Sequence, residues 1–315
     1  MHLLDLPNEV FIKIFSYLGF DDIFNLMLVS SFFYNIFEYA VFRRSRPRMK
    51  TLFIENNSDH QPEGTYFFHI ELYEPINPTS SKSTIKMHNV TPDVIDMILR
   101  NLTIDDLFFV SIQVKNEKNM FDIINKYFKS DMKIQNLVLN ILEDCDCESF
   151  ERLFQKFKNA QELIIYRLSF KSMKNDFKLP NFDELTDLLL NGKLADDFFE
   201  KRFIDHCIIN SPKLMEMGIF CKPFHCYSPV IDLIAIRPWN FTMCDGSTHK
   251  IHYFKLKLLR DHTMSYIDRR NAMEFFCFCV RKHFNYAVLN INANVQGFQY
   301  CNTCHNEKHL FVSFL

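Results

Sequence analysis

Cys301-Asn302-Thr303-Cys304-His305 has the CxxCH spacing that attaches a c-type haem through two thiols and an imidazole. That chemistry needs an export or organelle signal and a second axial ligand. The amino terminus, MHLLDLPNEV, lacks the basic-then-apolar order of a signal peptide. The same residues suit zinc better: Cys301, Cys304 and His305 or His309, with Cys277 or Cys279 as a fourth ligand. A structural zinc site wants two short-spaced pairs, and only one is present, so small buried thiols in a Cys-rich tail are the simpler reading. Cys221, His225 and Cys226 lie close together without a ligand spacing. Cys145 and Cys147 flank Asp146 before an expected helix, whose start would lower a thiol pKa, but no base stands ready to use it. The acid pairs Asp105-Asp106 and Asp196-Asp197 fall where helix caps are expected. No nucleophile elbow, P-loop, dinucleotide fingerprint or HExxH occurs. The expectation is a chain with no catalytic residue, no cofactor and no resident metal.

The elements that carry these residues read as α/β. Lys50–Glu55, Thr65–Tyr73 and Thr84–His88 alternate as strands, separated by the polar turn NNSDHQPEG and the loop PINPTSSKST. Thr91-Pro92-Asp93 opens a helix. Strands are then expected at Leu107–Val114, Leu137–Ile141, Leu163–Leu168, Leu188–Leu190 and Leu214–Phe220. Helices are expected at Lys118–Phe128, Glu148–Phe157 and Asp196–Ile209. Strand centres recur every 24 to 30 residues or so, the period of leucine-rich-type repeats. Leu137-x-Leu139, Leu163-x-Ile165 and Met215-x-Met217 would place alternate residues inward. The asparagine ladder of true leucine-rich repeats is absent. The expectation is a degenerate leucine-rich-repeat-like α/β solenoid, with a plain mixed α/β sheet as the alternative. After Cys221 a loop through Val230 is expected, then a strand Ile251–Leu259 that Thr263–Arg269 pairs with. Asn271–Phe284 fits either helix or strand.

If the repeats stack, the residues between the inward ones share an open face. Ser111, Gln113, Asn140, Tyr166 and Glu216 would lie there. That face is mixed and weakly charged, unlike the Arg cluster that a phosphorylated peptide requires.

The stretch Leu6 to Ile36 is a separate matter. Pro7 suits the first turn of a helix, and Glu9 favours its dipole. On a wheel, Val10, Ile14 and Tyr17 cluster, and Leu18, Phe11, Phe15 and Ile12 continue the arc to roughly 200°, about twice what a surface helix needs. Asp21 or Asp22 would cap a second helix with Ile23, Leu26 and Val29, and Ser30 a third with Phe33, Ile36 and Phe37. About 40 residues sit at the lower limit for an independent fold. A second surface must cover so apolar a unit: either the rest of the chain or a partner.

Leu6-Pro7-x-Glu9-Val10, Ile14-Phe15-x-x-Leu18, Asp22-Ile23, Leu26-x-Leu28-Val29-Ser30 and Phe33 resemble an F-box, departing at Ser31 and Phe32, where many F-boxes carry Lys or Arg. The resemblance implies a three-helix unit over residues 1–48 that docks a Skp-type adaptor and, through it, a cullin. Leu6, Pro7, Val10, Ile14, Leu18, Leu26 and Val29 match the positions that the resemblance assigns to docking. It implies a substrate adaptor of an SCF ubiquitin ligase, acting by proximity and not by its own catalysis. Residues 49–90 would be an extended linker, and 91–315 the substrate-recognition domain. The tail FKLKLLRD…MSYIDRR…EFFCFCV is similar to nematode F-box families with an F-box-associated or FOG-2-homology domain. There a basic residue and an acidic turn, here Arg260-Asp261, join two strands, and an aromatic-rich strand follows, here Phe275–Val280.

Composition bounds the rest. Hydrophobic content of 48% with 23% charged residues is globular, and six Gly among 315 residues argue against Gly-rich phosphate loops. A net charge of −2 gives no global pull toward nucleic acid or membranes, so neither is expected as a partner. The basic run RRSRPRMK at 43–50 reads as a solvated helix end, where cations suit the dipole. A soluble protein of the cytoplasm or nucleus is expected, its ten Cys thiols and its NxS/T sequences at Asn56, Asn101 and Asn240 incidental. Two alternatives stay open: an F-box scaffold that delivers no ubiquitin, and a zinc-binding protein built on the Cys-rich tail.

Overall fold

A computed structural model describes residues 6–15, 17–18, 20–37, 46–56, 62–73, 84–116, 119–142, 145–170, 177–191, 194, 197–220, 228–236, 252–259, 266–284, 286–289, 294–300 and 307–314. The chain is mixed α/β and divides into two compact units. The first holds residues 1–136 and 142–156, and the second residues 137–141 and 157–315.

The first unit opens with three short helices, α1 (Asn8–Phe15), α2 (Phe20–Val29) and α3 (Ser31–Phe37). Pro7 begins α1 as its type predicts: the Val10 and Phe11 N–H groups donate to its carbonyl at 3.0 and 3.3 Å. α2 starts earlier than expected, at Phe20, so Asp21 and Asp22 sit inside its first turn and are not caps. There Asp22, which is exposed, still favours the helix dipole. Strands β1 (Met49–Glu55), β2 (Tyr66–Leu72) and β3 (Thr84–Val90) form an antiparallel meander, and β4 (Asp106–Lys115) joins β1 in parallel. The order is β3-β2-β1-β4. Lys50 therefore lies in a strand, and Arg48 bridges Thr103. This end of the basic run is extended backbone and not a helix end.

Helices α4 (Pro92–Arg100), α5 (Met120–Tyr127) and α6 (Cys147–Phe154) complete the unit. They bury Ile95, Ile98 and Leu99, then Phe121 and Ile124, then Phe150, Leu153 and Phe154. Phe121 and Phe150 meet edge to face at 5.3 Å. Their exposed sides are laced by pairs thirty residues apart: Asp96 with Lys126 at 2.9 Å, and Asp122 with Arg152 at 3.0 Å. Such exposed pairs are screened by solvent and add little to stability. Lys156 bridges two carbonyls at the end of α5, that of Asn125 in its last turn and that of Phe128 just after it. Asp105 forms an ion pair with Lys129 at 2.7 Å and Asp106 opens β4, so this acid pair caps no helix.

β5 (Lys133–Leu142) is shared, residues 137–141 falling in the second unit. That unit continues with parallel strands β6 (Ala160–Leu168), β7 (Asp187–Leu190), β8 (Glu216–Phe220) and β9 (His252–Leu259) as successive neighbours. One face aligns Leu163, Leu188, Met217, Leu256 and Val312 in register, all buried. β12 (Glu307–Phe314) lies parallel to β9, and β11 (Val295–Tyr300) and β10 (Tyr286–Leu289) extend from it antiparallel. A solenoid adds each strand at its growing edge. Here the last strand of the chain sits inside the order, so this region is the mixed α/β sheet and not an uninterrupted leucine-rich-type stack. Met215 precedes β8 and is exposed; the inward alternation begins at Met217.

Helices α7 (Asp197–Asn210), α8 (Ser228–Ile236) and α9 (Tyr266–Arg281) belong to this second unit. α8 overturns part of the loop expected through Val230, since Ser228-Pro229-Val230 is its first turn. α9 overturns two expectations. Tyr266–Arg269 is helical and does not pair with β9, and Phe275–Val280 is helical too, so the tail loses the aromatic strand on which its family likeness leaned. Ala272, Met273, Phe276, Cys277, Cys279, Val280 and Phe284 are buried at helical spacing, with Glu274, Phe278 and Arg281 outward. Gly297 on β11 lets α9 approach: a Cβ there would collide with Val280 and press on Phe284.

Candidate functional site

The first three helices resolve the wide apolar arc into two sides. Phe11 and Phe15 of α1 turn inward, 5.8 Å apart, and Phe11 meets Phe32 and Phe33 edge to face at 5.4 and 5.8 Å. Phe15 meets Phe33 at 5.8 Å. Ile23 and Met27 of α2 and Ile36 of α3 are buried with them. These aromatic contacts give so short a unit a core of its own.

The residues expected to dock a partner take the other side, to different degrees. Val10 and Ile14, one turn apart on α1, are 40% and 41% exposed, and Val29 at the end of α2 is 76% exposed. Pro7 is exposed, while Leu6, Leu18 and Leu26 are partly buried. Two further apolar residues here are exposed and were not among those expected. Tyr17 continues the Val10–Ile14 strip and is 73% exposed, and Leu28 is exposed beside Val29. The wheel already placed Tyr17 with Val10 and Ile14. What the sequence could not show was that Phe11 and Phe15, only one position along, are used up by the core. Lys13 and Glu9 flank the strip, so it is apolar with a charged border.

The expected substrate face divides between the two units. In the first, Ser111 is 1% exposed and accepts a hydrogen bond from Gln113 Nε2 at 3.2 Å. Ser111 is therefore interior and not a surface contact. It is closed off although it alternates with the inward Val110 and Ile112 as expected, while Phe109 and Gln113 on its own side are partly buried. Gln113 is partly buried.

In the second unit Asn140 is partly buried, Tyr166 is exposed, and Glu216 is partly buried and paired with Lys257 and, at 4.0 Å, with Lys255. Glu216 stands in register with Asp187 and Glu162 on adjoining strands. Burial, then the charges of Asp187 and Glu216, push the Glu162 carboxyl above its ordinary value.

The chemistry-bearing residues singled out in the sequence lie apart among the described residues. Cys145 and Cys147 are both buried, and the Cys145 thiol donates to the Leu142 carbonyl at 3.3 Å, which removes the accessibility that thiol reactivity needs. Asp146 between them is the N-cap of α6. Cys277 and Cys279 are buried on α9, with Cys279 Sγ 3.6 Å from Ser228 Oγ. His309 is buried on β12, its ring 4.8 Å from that of Phe298. Among the described residues no three His, Cys, Asp or Glu side chains gather as a metal site. Cys221, His225, Cys226, Cys301, Cys304 and His305 lie outside the described residues, as do Asp196, Arg260 and Asp261. Among the described residues no helix is long and apolar enough to cross a membrane.

Residues 3–46 match the sequence model of the F-box-like family. The match covers the three helices and their exposed apolar strip, and the chain carries an F-box-like domain there. No curated protein matches the chain.

Proposed function

We propose that this protein is a substrate adaptor of an SCF-type ubiquitin ligase. The observation that carries the reading is the coincidence of two facts over one short stretch. Residues 3–46 are F-box-like, and the three helices there bury a phenylalanine core drawn from α1 and α3 while leaving Val10, Ile14, Tyr17, Leu28 and Val29 in solvent. F-box domains generally bind Skp-type adaptors, and an apolar strip of this kind needs a covering surface. The Skp-type adaptor covers it and links the chain to a cullin. The rest of the chain, with its mixed α/β sheets, holds a protein target. Its contribution is proximity, which raises the effective concentration of target lysines near a ubiquitin-transferring enzyme. The chain itself performs no chemistry in this account, takes no cofactor, engages neither nucleic acid nor membrane, and works in the cytoplasm or nucleus.

The test is depletion followed by rescue. Cells depleted of the protein are complemented with the parent or with an Ile14→Asp, Val29→Asp variant, and protein half-lives are measured across the proteome. A target of the ligase lengthens its half-life on depletion, is restored by the parent and is not restored by the variant. If no protein behaves in this way while the parent still binds a Skp-type adaptor, ubiquitin delivery is wrong and the scaffold reading replaces it.

A further inference from the structure

The segment that leaves the F-box-like domain enters β1 through Arg46, Pro47 and Arg48, and its backbone is gripped on both sides. The Thr103 N–H donates to the Pro47 carbonyl at 2.9 Å, and the Met49 N–H donates to the Thr103 carbonyl at 3.0 Å. From the other side the Tyr73 N–H donates to the Arg48 carbonyl at 3.0 Å. On this fixed backbone the Arg48 guanidinium lies 5.2 Å from the centre of the Tyr73 ring. Two residues on, Lys50 Nζ lies 5.7 Å from the centre of the Phe108 ring and 3.7 Å from Glu71. Tyr73 and Phe108 are each 44% exposed, and Arg46 is exposed beside them. Among the described residues Arg48 has a ring for a partner and no carboxylate. A guanidinium held over a ring keeps N–H donors around its edge, and these match a carboxylate in pairs.

We propose that this patch on the first unit binds the acidic side chains of an extended partner segment. Arg48 takes a carboxylate along its edge, Lys50 offers a second charge that Glu71 only partly satisfies, and Tyr73 and Phe108 pack flanking apolar atoms. The ordering cost is low, because the cations are already held by rings and the backbone by neighbouring strands. Nucleic acid fits less well. Tyr73 and Phe108 each already hold a cation over the ring where a base would stack, and three cations beside a glutamate neutralise few phosphates. The inference stands independently of the adaptor reading.

The test uses the purified full-length chain and three labelled probes: a peptide alternating Glu with Leu, its Gln counterpart, and single-stranded oligouridine. The Glu peptide binds, binding weakens with added salt, and the Gln peptide does not bind. An Arg48→Gln, Lys50→Gln variant with unchanged circular dichroism loses roughly tenfold or more in affinity for the Glu peptide. Arg48→Lys keeps the charge but not the paired donors and weakens it less; if the double variant unfolds, this single variant reads the same comparison. Equal binding of the Glu and Gln peptides, or no change in any folded variant, overturns the proposal. Oligouridine binding more tightly than the Glu peptide, and lost on the same substitutions, also overturns it in favour of a nucleic-acid surface.

Discussion

Asp146 sets where a helix begins and how that start responds to pH. Its carboxylate accepts from the Glu148 N–H at 3.0 Å, the Ser149 N–H at 3.4 Å and the Ser149 hydroxyl at 2.7 Å. Burial alone would raise its pKa. Those hydrogen bonds, with Arg152 nearby, outweigh burial and hold the carboxyl below its ordinary value. A lowered acid binds its proton less tightly folded than unfolded. The contribution is therefore present above the ordinary Asp value of about 4 and fades as pH falls through the lowered value. Asp146→Ala is expected to cost about 1 kcal/mol at neutral pH. Denaturant melts of parent and variant should converge in acid, and a gap that does not change with pH would refute this account of the cap. The sequence placed this helix start correctly, since Asp before Cys-Glu-Ser is a local signal. It did not reveal that the flanking thiols are buried, because burial of Cys145 and Cys147 depends on what packs over them. Ser111 was misplaced for the same reason: strand alternation gives the side of the sheet, not whether that side is covered.

At the scale of elements, the short strands and helices from Met49 to Phe220 were legible because each is amphipathic with its own period and is bounded by turn residues. The C-terminal elements were not. Phe275-Phe276-Cys277-Phe278-Cys279-Val280 has strand-like residue types, and only its burial at helical spacing, set by packing on β11, decides for α9. Gly297 is the residue that makes this packing possible. Gly297→Ala is expected to destabilise the protein by about 1–3 kcal/mol, since the added methyl meets a branched side chain in a filled interface. Thermal unfolding followed by near-ultraviolet circular dichroism checks this. An unchanged midpoint would mean that α9 and β11 are not in close contact. α8 escaped notice because Ser228-Pro229 reads equally as a loop or as a helix start.

For the whole molecule, the F-box-like match covers residues 3–46 of 315. That these helices leave apolar side chains in solvent was the most legible feature, because an arc too wide for one core announces a second surface. Assigning Phe11 and Phe15 to the core and Val10 and Ile14 to solvent required the packing of α3 against α1. The strip can be tested without knowing any target. The direct measurement is calorimetric titration of the purified chain with a Skp-type adaptor, beside the Ile14→Asp, Val29→Asp variant. Both substituted side chains are exposed, so the variant should keep its circular dichroism spectrum. The account predicts that the parent binds and that the variant loses on the order of a hundredfold or more in affinity. A folded parent that fails to bind, or a folded variant that binds as the parent does, would contradict it.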